Sequence, residues 1–218
     1  MPRWNNNMNT REEIIRVKRN AVLREAGQVF SKRGYHNTSL DEVAEALKVS
    51  KGTLYNYVRD KQDILYELHR IAMDIGDKAQ AAGEAQEGSA AARLRTTIRE
   101  YIRMFTDEMG ACIVLSEIDA LRPEDRQVIV ERRDGFFQNH LRLIEEGIAD
   151  GSLRTVNPHL AVFVLMGAVN WIPRWYSQSG ALSGEDVAGE MTELLLAGML
   201  ADPADPSFDN PGTSTAGD

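Results

Sequence analysis

The chain has little cysteine, no long apolar run and no alternating apolar pattern, and each shortage removes a class of protein. Cys112 is its one cysteine. It cannot form an intrachain disulfide, which fits a reducing cytoplasm, and a buried structural thiol is its expected role. No run approaches the roughly 18 apolar residues that span a bilayer, and the N-terminus shows no apolar signal core, so a soluble, cytoplasmic chain without membrane contact is expected. Period-two alternation is missing, which removes half-buried strands, and no internal repeat is visible. The four histidines, His36, His69, His140 and His159, share no metal-ligand spacing with one another, with Cys112 or with a carboxylate. No metal site or cofactor is expected. The stretch "GTLYNY" lacks the Gly-Lys-Ser/Thr ending of a phosphate loop, and no nucleophile motif surrounds Cys112, so catalysis is not expected.

What remains is helical. The 218 residues are 43% hydrophobic, enough for a substantial core. A first helix starts at Arg11 and stops at Gly34, with Ile15, Val22, Ala26, Val29 and Phe30 near one face. Ser39 and Glu42 have capping-box spacing, and Leu40, Val43, Ala44 and Leu47 follow as one stripe. Ser50 can cap a short third helix that ends near Arg59–Asp60. A long helix runs from about Lys61 to Ala82, and "AAGEAQEGSA" connects it to a fifth carrying Leu94, Ile98, Tyr101, Ile102 and Phe105. Beyond Gly110, residues 111–120 read as a short helix. Pro123 opens a seventh that ends at Asp150-Gly151. Pro158 opens an eighth that runs on to Trp175, and Ser183 caps a ninth. About nine helices are expected, with residues 1–10 a flexible arm and 202–218 a disordered tail.

Charge divides the chain. Of 25 Lys/Arg and 33 Asp/Glu in total, residues 1–61 hold 12 and 7, so a basic head precedes an acidic body. A basic head suits a polyanion; chance fluctuation is the alternative. The tight break "LKVS" between the second and third helices describes a helix-turn-helix, sealed by Leu47, Val49, Leu54 and Val58. Lys51, Thr53, Tyr55, Asn56 and Tyr57 are then left outside. Lysine neutralises phosphate, while hydroxyls and amides reach phosphate oxygens and base edges, as a major groove requires. Gly52 allows close backbone approach. A merely solvated face would show Glu and Lys rather than two tyrosines and an asparagine.

"FSKRGYHNTSLDEVAEALKVSKGTLYNYVRDKQDIL", residues 30–65, resembles the TetR family of one-component transcriptional regulators. Gly34, Thr38, Ala44, Val49, Ser50, Gly52, Leu54, Tyr55, Tyr57 and Lys61 match the family pattern in order and spacing. The resemblance implies an all-α fold: a three-helix DNA-binding domain (11–60) and a larger helical ligand-binding and dimerisation domain (61–201). It implies that Thr38 and Ser39 start the second helix, that Ser50, Lys51, Thr53, Tyr55 and Tyr57 touch DNA, and that Lys61 holds a phosphate; Asn56 is a candidate base reader. Two residues depart from the pattern. Lys48 stands where most members have glycine; a left-handed backbone there costs about 1 kcal/mol, which a phosphate contact can offset. Val58 replaces a phenylalanine. Arg3, Arg11, Lys18 and Arg19 offer a basic arm for phosphate or minor groove, or a solvated tail.

One recognition helix reads few base pairs, so a homodimer on palindromic double-stranded DNA is expected. The last two long helices are too apolar for solvent. Leu160, Val164, Gly167, Ala168, Val187, Met191, Leu194 and Leu195 are the candidate dimer contacts, in line with the four-helix bundle that the resemblance implies. Met104, Phe105, Met109, Phe136, Phe137, His140, Phe163, Met166, Asn170, Trp171, Arg174 and Trp175 are the candidate lining for a small hydrophobic effector, with ordinary core as the alternative. Pro173 inside the eighth helix is expected to free the Val169 carbonyl, and Arg174 either offers an anion fork or covers aromatics at the dimer edge. The stretches "LSEIDALRPEDRQVIVERRD" and "NWIPRWYSQSGALSGEDVA" are similar to the family's subgroup that answers to acyl-CoA thioesters in fatty-acid and steroid breakdown. That similarity implies phosphate partners among Arg122, Arg126, Arg132, Arg133, Arg142 and Arg174. The expected activity is a repressor released by its ligand; the alternatives are a drug-responsive repressor of an efflux pump and a structural helical dimer without DNA binding.

Overall fold

A computed structural model describes residues 11–107 and 117–201. The arm 1–10 with Arg3, the tail 202–218, Met109 and Cys112 lie outside the described residues, as does most of the short helix expected at 111–120; its end is a 3₁₀ turn, Ile118–Ala120. The fold is all-helical, as expected. The elements are α1 (Arg11–Arg33), α2 (Leu40–Ala46), α3 (Lys51–Leu54), α4 (Lys61–Glu84), α5 (Ala90–Phe105), α6 (Pro123–Ala149), α7 (Pro158–Asn170), α8 (Ile172–Trp175) and α9 (Gly184–Ala197). A single antiparallel bridge, Leu153 to Leu200, is the nearest approach to a strand among the described residues.

Local chemistry sets the ends. The expected caps form as full capping boxes or as hydroxyl caps: Ser39 with Glu42 at α2, Ser50 with the Thr53 amide at α3, and Ser183 with Asp186 at α9. Asn157 caps α7 and Pro158 takes its first position. Gly34 and Gly151 follow α1 and α6 with φ of 87° and 79°, a left-handed backbone that glycine adopts without strain.

Two expected helices come out shorter. α3 stops at Leu54 rather than near Asp60. The Asn56 and Tyr57 amides donate to Thr53 and Leu54 carbonyls three residues back, a tighter winding that does not propagate. The eighth helix does not run through to Trp175. It ends at Asn170, and α8 resumes at Ile172. Pro173 has no amide for the Val169 carbonyl, and the Trp171 amide donates to it instead, so the expected free carbonyl is occupied.

The chain forms two compact units. One holds residues up to Asp74, Phe105–Arg132 and Ile172–Gln178; the other holds Ile75–Met104, Arg133–Trp171 and residues from Ser179. In the first, Val22, Leu23, Ala26 and Phe30 of α1, Val43 and Ala44 of α2, Leu54 and Val58, and Ile64, Leu65 and Leu68 of α4 are buried. Val49, expected to help seal the turn, stays exposed. In the second, Leu94, Ile98 and Ile102 of α5, Ile144 of α6, Val162, Leu165 and Val169 of α7, and Ala188 and Leu196 of α9 are buried.

In that second unit α4 and α5 meet at Gly83. A methyl group there would stand 1.8 Å from the Thr97 hydroxyl and 2.8 Å from the Arg93 carbonyl. Gly135 of α6 has nothing within 4 Å of the same position. Alanine normally stabilises a helix interior by up to about 1 kcal/mol over glycine. Gly135→Ala should therefore raise the urea midpoint, and Gly83→Ala should lower it by overpacking, a penalty of about 1–3 kcal/mol. Equal shifts of one sign in urea unfolding would contradict the close approach.

Candidate nucleic-acid interface and effector site

α3 is a single turn whose inward side is one residue. Leu54 is fully buried, and Val58 follows it inward. Lys48, Val49, Ser50, Lys51 and Gly52 form an unbroken exposed run, and Tyr55 and Asn56 are exposed beyond it; Thr53 and Tyr57 are half-buried. Lys51, Tyr55 and Asn56 thus stand together on the solvent side of the turn.

Several expected contact groups are already engaged. Thr38 is buried, and its hydroxyl donates to the Gly34 carbonyl at 2.9 Å, so it shapes the α1–α2 turn. The Ser39 hydroxyl caps α2, where its amide and hydroxyl hold the Glu42 carboxyl below the usual carboxylate range. The Ser50 hydroxyl accepts from the Thr53 amide at 3.1 Å and lies 2.8 Å from the Thr53 hydroxyl. Lys51 Nζ is 2.8 Å from Asp41, whose carboxylate holds the lysine pKa up. Lys61 lies 4.2 Å from the centroid of the Tyr35 ring and donates to the His36 carbonyl; burial pushes its pKa down, with Glu42 opposing. Arg19, read as part of a basic arm, pairs with Glu67 at 3.3 Å.

The candidate effector residues fall into separate groups. Phe136 is 5.1 Å from Tyr101 and 4.3 Å from His140, ring centre to ring centre. Phe137 lies 5.4 Å from Phe163 and 5.9 Å from His159. These, with half-buried Met104 and Met166 and exposed Asn170 and Trp171, belong to the second unit. Phe105, fully buried, and the exposed Arg174 and Trp175 belong to the first. A cavity of about 20 Å³, room for one water, is lined by His140, Thr97, Asn139 and neighbours. His140 Nδ1 lies 2.9 Å from the Phe136 carbonyl, which can only accept, so Nδ1 carries the proton of a neutral ring. Burial pushes its pKa down against that hydrogen bond.

Of the arginines considered for effector phosphates, Arg122 pairs with Asp60 and Asp125, Arg126 with Asp119, Arg132 with Asp74, and Arg142 with Glu146. Arg133 and Arg174 are exposed. Sequence reasoning missed Asp41, Asp60 and Tyr35 as the groups that position Lys51, Arg122 and Lys61. No local signal reports pairs ten to 62 residues apart.

Leu160, Phe163, Val164 and Gly167 of α7, with Trp171 just past its end, lie at helical spacing along one exposed stripe. Leu160, Phe163 and Val164 keep over 60% of their surface open, and Leu194 of α9 keeps 76%. Ala168, Met191 and Leu195 are half-buried, and Val187 is buried within the protomer. Among the described residues no helix is long and apolar enough to cross a membrane.

Comparison with known proteins agrees with this architecture. Residues 22–68 match the family model described as "Bacterial regulatory proteins, tetR family", and residues 87–199 match "Tetracyclin repressor-like, C-terminal domain". The HTH-type transcriptional repressor KstR2 of Mycolicibacterium smegmatis is 24% identical over 199 residues, covering 86% of this chain and 93% of that protein. The crystal structure of the TetR family regulator PfmR from Thermus thermophilus is 30% identical, with a TM-score of 0.66 over 81% of this chain and 97% of that one. AibR, solved with isovaleryl coenzyme A and operator DNA, is 26% identical, with a TM-score of 0.66 and the same coverage.

The buried neutral His140 gives the protein a pH dependence with a defined sign. Its folded pKa lies below the unfolded value of 6.5, so the stability it contributes is present above pH 6.5 and is lost as pH falls from there toward the folded pKa. Its share of the loss is at most about 1.4 kcal/mol per pH unit. His140→Gln should flatten the fall in unfolding free energy between pH 7.5 and pH 5.5. Parallel curves for variant and wild type would show that His140 is not the buried neutral group described.

Proposed function

The chain belongs to the tetR family of bacterial regulatory proteins, and from that membership we propose that it is a ligand-responsive transcriptional repressor acting in the cytoplasm. A homodimer sets two copies of α3 in successive major grooves of a palindromic operator. A small hydrophobic effector, an acyl-CoA thioester, releases it. The observation that carries this reading is the exposed face of α3, where Lys51, Tyr55 and Asn56 stand outward on a turn held by one buried leucine. Lys51 serves phosphate and Asn56 is the base reader, since an amide can take the paired donor and acceptor of adenine.

The α7 stripe supports the dimer. Exposed leucine, phenylalanine, valine and tryptophan in one row mark a surface that a second copy covers. The acyl-CoA reading draws on the likeness to AibR, which was solved with isovaleryl coenzyme A. Release follows from linkage: an effector that favours the state with misplaced heads weakens DNA binding by the factor that DNA weakens effector binding.

Fluorescence anisotropy with the DNA upstream of its own gene tests the reading. The protein should bind at low salt, and acyl-CoA of short or long chain should weaken binding by about 5–150-fold. The same acyl-CoA at 100 times its dissociation constant should add about 2.7 kcal/mol of stability in a melt. If lipophilic cations alone do both, the efflux-pump repressor replaces this reading. Asn56→Ala should relax base preference at its position by about 1–3 kcal/mol of discrimination. Val164→Arg should dissociate the dimer in sedimentation and weaken operator binding with it; a monomeric wild type would contradict the proposal.

A further inference from the structure

Lys48 is the one residue between α2 and α3 held in a left-handed conformation, with φ of 57°. The turn imposes that conformation. The Lys48 amide donates to the Glu45 carbonyl at 2.9 Å, and the Val49 amide donates to the Ala44 carbonyl at 3.0 Å. These are the paired bonds of a Schellman ending, in which the residue at this place is usually glycine because a side chain there is strained. Strain of this kind persists where the surroundings over-determine it, and it points to a use for the side chain.

The side chain has no use inside the fold. Lys48 is exposed, and its side chain has no hydrogen bond, ion pair or ring contact with any described residue. Four other cations on or beside the α2–α3 segment differ in this respect. Lys51 lies 2.8 Å from Asp41, Arg33 lies 2.7 Å from Glu42, Arg59 lies 3.1 Å from Asp63, and Lys61 sits over Tyr35. Lys48 is also three residues from Lys51 and opens the exposed run that leads into α3, within about 11 Å of Lys51 by chain length alone.

We propose that Lys48 is a DNA phosphate site built into the helix-turn-helix turn, where the chain accepts backbone strain in exchange for an uncompensated positive charge on its DNA-facing surface. This rests on the DNA-binding reading above and deepens it with a residue in the turn itself that sets affinity and salt dependence without reading sequence. Lying in the turn ahead of the recognition helix, its ammonium meets the backbone of the duplex, so its contribution is the same for every operator variant.

The test compares the wild-type protein with Lys48→Gly, Lys48→Asn and Lys48→Arg on upstream DNA between 50 and about 200 mM salt. Lys48→Gly should raise the melting temperature by about 2–4 °C as strain is relieved. It should also weaken DNA binding several-fold at low salt and reduce the slope of log K against log salt by about 0.9 per protomer. Lys48→Asn, which tolerates the left-handed backbone without the charge, should show the same loss of slope, and Lys48→Arg should keep it. The loss should be uniform across operators carrying single base-pair changes. A higher melting temperature with an unchanged slope overturns the proposal, as does a loss confined to one base-pair position. A wild type that ignores the duplex overturns the DNA-binding reading along with it, whereas binding with an unaltered slope in Lys48→Gly overturns the Lys48 assignment alone.

Discussion

The burial of one side chain, Leu54, is the constraint on which the candidate interface depends. α3 has four residues, far too few to hold a helix in water without tertiary support. Leu54 at no exposure and Val58 at 3% are its inward residues, α2 packs against it, and Ser50 closes its first turn through the Thr53 amide. Because one inward residue suffices, Lys51, Tyr55 and Asn56 are free to face outward. A longer amphipathic helix would have buried a whole stripe and left a narrower face. Short length, a strong cap and a single anchor together make a protruding polar edge.

Charges around that edge are arranged with care for the free protein. Lys51 carries Asp41 and Arg33 carries Glu42, so the head does not present bare positive charge at those two positions. Such exposed pairs contribute little to stability. A phosphate approaching Lys51 competes with a carboxylate already there, which makes binding depend on geometry and salt as well as on net charge. The body shows a similar economy: Arg122, Arg126, Arg132 and Arg142 are matched to carboxylates, so its acidic excess is not met by a bare cationic patch at those positions.

Much of the fold was legible because its signals are local. Ser39-to-Glu42 spacing, Ser50 before a short helix, Pro158 at a helix start and Gly34 and Gly151 at helix ends each act within a few residues, and each formed as read. The places where reading and structure part have a common cause in competition between partners. Thr38 and Ser39 are hydroxyls that suit phosphate, yet the nearest unsatisfied backbone groups take them first. The break at Trp171 was half legible: Pro173 announced a lost hydrogen bond, but only the folded chain shows the Trp171 amide closing onto the Val169 carbonyl and ending the helix. The candidate effector residues were the least legible, because aromatic and methionine side chains at helical spacing look alike whether they line a site or fill a core. Phe105 is fully buried, whereas Phe163 is largely open.

The central claim is that paired copies of α3 enter the major groove of one duplex. Methylation protection of guanine N7, an atom displayed in that groove, reads it directly on the DNA upstream of the gene. The account predicts two protected patches of a pseudo-palindrome, centred about 10–10.5 base pairs or a multiple of that apart. Guanine N7 left unprotected along the bound duplex, or a single patch without a symmetry mate, would contradict it.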